Sequence, residues 1–198
     1  MAQKIFSFTL ILAHVREITA EIEDALFESG CDDALLGMRC GVAFLDFDRA
    51  SKSLSEAIRT AVRDVHQAGF DVIRVEPDDW VSAAEIARRT GRTRESIRQL
   101  ASGARGPGGF PPPESSVTRN SPLWRWGEVA GWFSRTQPSA LKLAKDAETI
   151  GKINAVLEVR RRVRNVSELQ RLWKEYETGR KAKPRKKLAA KQRQTVSQ

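Results

Sequence analysis

Apolar and polar positions alternate from the start of the chain. In KIFSFTLILA the side chains of Phe6, Phe8, Leu10 and Leu12 fall on one face, which predicts a strand. The period then lengthens. EITAEIEDALFESG sets Ile18, Ile22, Ala25 and Leu26 on one helical stripe, with Gly30 as its C-terminal stop. Two short strands follow, near Ala34–Met38 and Val42–Phe47, with Gly41 in the turn between them. Leu54, Ala57, Ile58, Ala61, Val62 and Val65 mark a long amphipathic helix ending at Gly69. FDVIRVEP supplies a last strand, closed by Pro77. Strand, helix, strand, strand, helix, strand is the split βαβ order, so residues 1–79 are expected to form a ferredoxin-like α+β domain.

The next stretch, VSAAEIARRTGRTRESIRQLASG, carries two short helical patterns about a glycine. Ser82 caps the first, and Glu85 three residues on completes a capping box. Ala83, Ile86 and Ala87 form its apolar stripe, and Gly91 breaks it. Thr93 caps the second helix, whose buried face is Ile97 and Leu100. Arg94, Glu95, Arg98 and Gln99 are left on the other side. That is the helix-turn-helix pattern, whose second helix enters the major groove of DNA. Arginine and glutamine are side chains that bond guanine and adenine edges in pairs. Two helices of an ordinary bundle would show the same stripes, since charged outer faces are common.

GARGPGGFPPPESSVTRNSPLWRWGEVAGWF is rich in glycine and proline, then aromatic, then helical. With the two helices before it, this segment resembles the winged helix-turn-helix domains of the MerR, excisionase and AlpA type. On that resemblance Phe110-Pro111 matches the first wing strand and Leu123-Trp124-Arg125-Trp126 the second, while Glu128–Phe133 matches the closing helix. The longer string from LDFDRA to PLWRWGEV also resembles a bacterial family of DNA-binding proteins without a known mechanism. A domain spanning residues 80–137 has little room for a core, so large aromatics must do most of the burying. Trp132 and Phe133 are expected under the two helices. Trp124 and Trp126, alternate residues of the second wing strand, are expected to face the same core, with Arg125 outward. Arg92, Arg119 and Arg125 are the expected phosphate contacts. A base-stacking platform of the single-strand-binding kind is the alternative use of such tryptophans.

Beyond Pro138, Leu143, Ala147, Ile150, Ile153 and Leu157 make a stripe of near-heptad spacing. A Ser167…Gln170 capping box is expected to open a second helix with Leu169, Leu172, Trp173 and Tyr176 on one face. These helices form an extension over 138–179, and 180–198 is read as a disordered basic tail. The stripes need a partner, either the front domain or a second subunit. The resemblance implies pairing through the helix after the wing, hence a homodimer.

Charge sharpens the functional expectation. Residues 1–79 carry 8 Lys/Arg against 15 Asp/Glu; residues 134–198 carry 18 against 6. An acidic front and a basic rear suit a polyanion that meets the rear, nucleic acid first. Asp46 and Asp48 point to one strand face, but no third metal ligand or phosphate loop accompanies them. His14 and His66 stand alone, and Cys31 and Cys40 fit no zinc or disulfide pattern. No cofactor, metal or catalytic residue is expected. The opening stretch reads as a strand rather than a signal peptide, so the expected location is the cytoplasm, at the nucleoid, with no membrane partner. The expected function is sequence-preferring binding of double-stranded DNA as a bacterial transcription regulator. An excisionase-like accessory to recombination is one alternative. An adaptor whose front domain carries the activity, through a protein partner or a small ligand, is the other.

Overall fold

The computed structural model describes residues 4–118, 121–137 and 140–177. It is a mixed α+β chain in two compact units, 1–159 and 160–198. Arg119 and the basic tail lie outside the described residues.

The first unit opens with β1 (Lys4–Leu12), α1 (Ala20–Glu28), β2 (Ala34–Arg39), β3 (Val42–Ser51), α2 (Leu54–Gln67) and β4 (Val72–Glu76). The strands form one sheet in the order β2-β3-β1-β4, every neighbouring pair antiparallel. Alternation decides which side chains are buried. Phe8, Leu10 and Leu12 on β1 and Ala43, Leu45 and Phe47 on β3 are all buried, and the Phe8 and Phe47 rings stack at 5.3 Å. α2 lays Ala57, Ile58, Ala61 and Val65 against this layer with no exposure at all. Each fully buried Ile or Val contributes roughly 1.5–3 kcal/mol. Ser53 caps α2 by accepting from the Glu56 N–H. β2 turns into β3 through Cys40 and Gly41, both at positive φ (53° and 74°), the geometry of a tight two-residue hairpin. α1 begins three residues later than its stripe predicts, with Thr19 at the N-cap position and Ile18 outside the helix.

A second core follows. β5 (Trp80–Ser82) leads into α3 (Ala83–Thr90), then α4 (Arg94–Ala101), β6 (Leu123–Arg125) and α5 (Trp126–Thr136). Ile86, Ile97, Val81 and Val129 are almost wholly enclosed here, together with Trp124, Trp126, Trp132 and Phe133. Ser82 and Thr93 cap α3 and α4 as expected, accepting from the Glu85 and Ser96 N–H groups. Gly91 ends α3 in the left-handed conformation at φ 64°, the shape glycine adopts without cost.

Two expectations fail in this region. Phe110-Pro111 is not a strand. Pro111, Pro112 and Pro113 have no N–H to give a ladder, and the Phe110 ring turns inward, edge-on to Trp132 (5.1 Å) and Phe133 (6.3 Å). β6 pairs instead with β5, through Trp80↔Arg125, Val81↔Trp124 and Ser82↔Leu123. Among the described residues a single β-bridge, Ser115↔Leu123, links it to the segment before. Trp126 also leaves the strand. It opens α5, its N–H donating to the Asp79 carbonyl at 2.7 Å.

α6 (Leu141–Arg162) serves both cores. Ala144 and Ala147 pack in the second, Ile150 and Leu157 in the first. Leu143 is 41% exposed, so Ala144 takes the place its stripe assigned to it. The Asn154 side chain accepts from the Val75 N–H (2.7 Å) and donates to the Val75 carbonyl (2.9 Å), closing the outer edge of β4.

In the second unit α7 (Val166–Glu177) starts one residue before the expected cap. Asn165, not Ser167, accepts from the Glu168 N–H, and the Glu168 carboxylate accepts from the Arg164 N–H. Trp173 and Tyr176 are 66% and 86% exposed. Among the described residues no helix is long and apolar enough to cross a membrane.

Candidate nucleic-acid interface

Ion pairing sorts the arginines of α3 and α4 into two kinds. α3 ties its own down: Arg88 and Arg89 both donate to the Glu85 carboxylate, at 2.6 and 2.7 Å. Arg89 also donates to the Asp78 carbonyl and lies over the Trp126 ring. The hydrogen bond from Arg88, then that from Arg89, brings the Glu85 carboxyl down to about 2. This ionic knot leaves the half-formed capping box without its reciprocal bond, since the Glu85 side chain is spent on arginine.

α4 does the opposite. Ile97 and Leu100 anchor it, and Arg94, Glu95 and Arg98 stay exposed. Arg98 reaches Glu95 only at 4.0 Å. Among the described residues Arg94 forms no ion pair. Gln99 is half-buried rather than fully outward. Arg92, in the turn, is exposed with its guanidinium 5.2 Å from the Phe133 ring centre. A loop rich in glycine, 102–109, extends the exposed surface and carries Arg105, also without an ion pair among the described residues. Gly106 in that loop sits at φ 90°, and a Cβ there would stand 2.6 Å from Leu100.

The tryptophans hold this loop. Trp132 donates its indole N–H to the Gly108 carbonyl (3.0 Å) and Trp124 to the Pro111 carbonyl (3.1 Å). Their rings are 4% exposed, so neither offers a face for base stacking. The burial expected of Trp124, Trp126 and Trp132 holds, while the bonds to the loop were not foreseen.

Arg125 departs from expectation. Its guanidinium lies 3.6 Å from the Trp80 ring centre and pairs with the buried Asp79 at 2.6 Å and with Glu114 at 3.6 Å. An arginine so engaged braces β5 against β6 and is not a free phosphate contact.

In the front part, Asp46 and Asp48 accept hydrogen bonds from Thr9 (2.7 Å) and Ser7 (2.6 Å) across the β1–β3 ladder. Among the described residues no group of three or more His, Cys, Asp or Glu side chains could hold a metal. A polar cluster escaped the sequence reading. Arg49, 7% exposed, donates to both oxygens of Asp33 (2.8 Å), to Asp64 (2.7 Å) and to the Gly30 carbonyl (2.6 Å). Its signal was present, since Arg49 continues the inward series Ala43, Leu45, Phe47 on β3. The cluster joins the connection between α1 and β2 to β3 and α2; every bond of it is internal. Beside it, burial pushes the Cys31 thiol up to about 11, which leaves it inert.

No protein-family model matches the chain, and no curated protein or solved structure matches it.

Proposed function

We propose that the chain binds duplex DNA with sequence preference, as a bacterial transcription regulator, laying α4 in the major groove. One observation carries the reading. In two adjacent short helices about Gly91, Arg88 and Arg89 of α3 both pair closely with Glu85, while on α4 exposed Arg94 forms no ion pair among the described residues and exposed Arg98 reaches Glu95 only at 4.0 Å. A helix anchored by Ile97 and Leu100 with exposed arginines on its outer face suits groove recognition. In this reading Arg94, Glu95, Arg98 and Gln99 meet base edges, Thr93 positions the helix, and Arg92 and Arg119 meet phosphates. The residues 80–137 are then a winged helix-turn-helix with a reduced wing, and 1–79 a ferredoxin-like domain beside it.

The test is fluorescence anisotropy on a duplex selected from random sequence, against a scrambled duplex of equal length. Arg94→Ala is expected to cost about 1–3 kcal/mol on the selected site and much less on the scrambled one. Equal effects on the two would reduce Arg94 to a phosphate contact. Absence of any selected sequence would end the regulator reading.

A further inference from the structure

The two edges of the four-stranded sheet are treated differently. At β4, Asn154 occupies the main-chain groups of Val75. At β2, the strand order ends and among the described residues no element pairs beyond it. Strand edges are normally blunted by proline, a bulge or a charge in mid-strand. β2 reads ALLGMR: no proline, no charge before its last residue, and an unbroken register against β3. On it Leu35 is 70% exposed, the most exposed large apolar side chain described in residues 4–79.

We infer that β2 is the pairing edge of a homodimer, joined antiparallel to β2 of a second copy across a two-fold axis at Leu36. The geometry fixes this register. Asp33 accepts from the Asp48 N–H, so Asp33, Leu35, Gly37 and Arg39 turn their main-chain groups toward β3. Ala34, Leu36 and Met38 therefore turn theirs outward. The Ala34 N–H is already given to Cys31, which leaves the N–H groups of Leu36 and Met38 as outward donors. With the axis at Leu36, the two Leu36 residues exchange both main-chain bonds. Each Met38 N–H meets the Ala34 carbonyl of the other copy.

Side chains match in the same register, which is why a second copy is the occupant. Leu35 falls opposite Gly37 of the other copy. Gly37 is the place where the Phe44 ring leans over the strand, so close that a Cβ would stand 2.5 Å from it. The bulky side chain thus meets the Phe44 ring that fills the space over Gly37. Exposed Arg39 falls opposite Asp33, whose carboxylate is already held by Arg49, and exposed Asp32 next to it is the acid at that end of the strand. A strand with its cation at one end and its acids at the other is complementary to its own inverted image. None of this depends on DNA binding.

Sedimentation equilibrium of the full chain at micromolar concentrations tests it, with Leu35→Lys, Met38→Pro and, as a control on α7, Trp173→Asp. Leu35→Lys sets like charges beside each other across the axis; Met38→Pro removes an outward donor and leaves the β3 ladder intact. A dimer is expected for the wild type and for Trp173→Asp. The dimer dissociation constant should rise at least about tenfold in each β2 variant. Should a β2 variant lose its circular dichroism, amide exchange in the wild type decides: Leu36 and Met38 must exchange more slowly as concentration rises. A wild-type monomer, a dimer indifferent to both β2 variants, or concentration-independent exchange at Leu36 and Met38 would overturn the inference. A dimer broken by Trp173→Asp alone would overturn it too, in favour of α7.

Discussion

Trp132 ties two kinds of structure together at one residue. Its ring lies edge-on to Phe110 and Phe133, at 5.1 and 5.0 Å, and its N–H holds the loop at Gly108. Trp132→Ala is expected to lower the unfolding free energy by about 3–5 kcal/mol, as for other large buried aromatics. Trp132→Phe, which keeps a ring and loses the indole N–H, should cost much less and chiefly free the loop. Urea denaturation gives the first quantity, and amide exchange at 103–109 the second. A stable Trp132→Ala protein would remove the tryptophan from the core. Burial of this residue was legible in sequence because Val129, Trp132 and Phe133 share a helical face. Its hydrogen bond was not, because nothing local announces which carbonyl of a glycine-rich loop will come within reach. Arg49 shows the reverse case. Period-2 alternation placed it inward, but a sequence alone does not reveal that Asp33 and Asp64 converge there to neutralise it.

At the scale of elements, legibility followed the range of the forces involved. Helices and their caps depend on residues three or four apart, so Ser82, Gly91 and Thr93 marked α3 and α4 correctly. Pairing of β5 with β6 joins Trp80 to Arg125 across the whole middle segment, and three residues of strand give no periodicity to read. The same locality makes α3 acid-sensitive. Glu85 titrates near 4.5 when unfolded and about 2 when folded. A carboxyl with a lowered folded pKa contributes its full stability above the unfolded value and loses it as pH falls from about 4.5 toward 2. Glu85 is 29% exposed, so solvent screening keeps the contribution on the order of 1 kcal/mol. Thermal melts of wild type and Glu85→Gln should differ at neutral pH and converge near pH 2. A gap that persists at the acid end would assign the effect to packing instead.

Across the whole molecule, charge rather than shape separates the two ends. Residues 180–198 hold eight Lys/Arg (Arg180, Lys181, Lys183, Arg185, Lys186, Lys187, Lys191 and Arg193) and no acid. They lie outside the described residues, and their charge alone bears on binding here. Cations on a chain that tracks any phosphate backbone release counterions regardless of base sequence. If α4 supplies discrimination and the tail supplies attraction, deletion of 180–198 should weaken selected and scrambled duplexes by a similar factor. The slope of log affinity against log salt should flatten by about 0.9 for each phosphate that the tail had neutralised. The apolar stripes of α6 and α7 stay in the truncated chain, so its melting temperature and oligomeric state are expected to match the full chain. Salt titrations of both proteins on both duplexes make the measurement. A weakening confined to the selected duplex would give the tail a part in recognition. An unchanged slope would return phosphate binding to Arg92, Arg105 and the residues around α4.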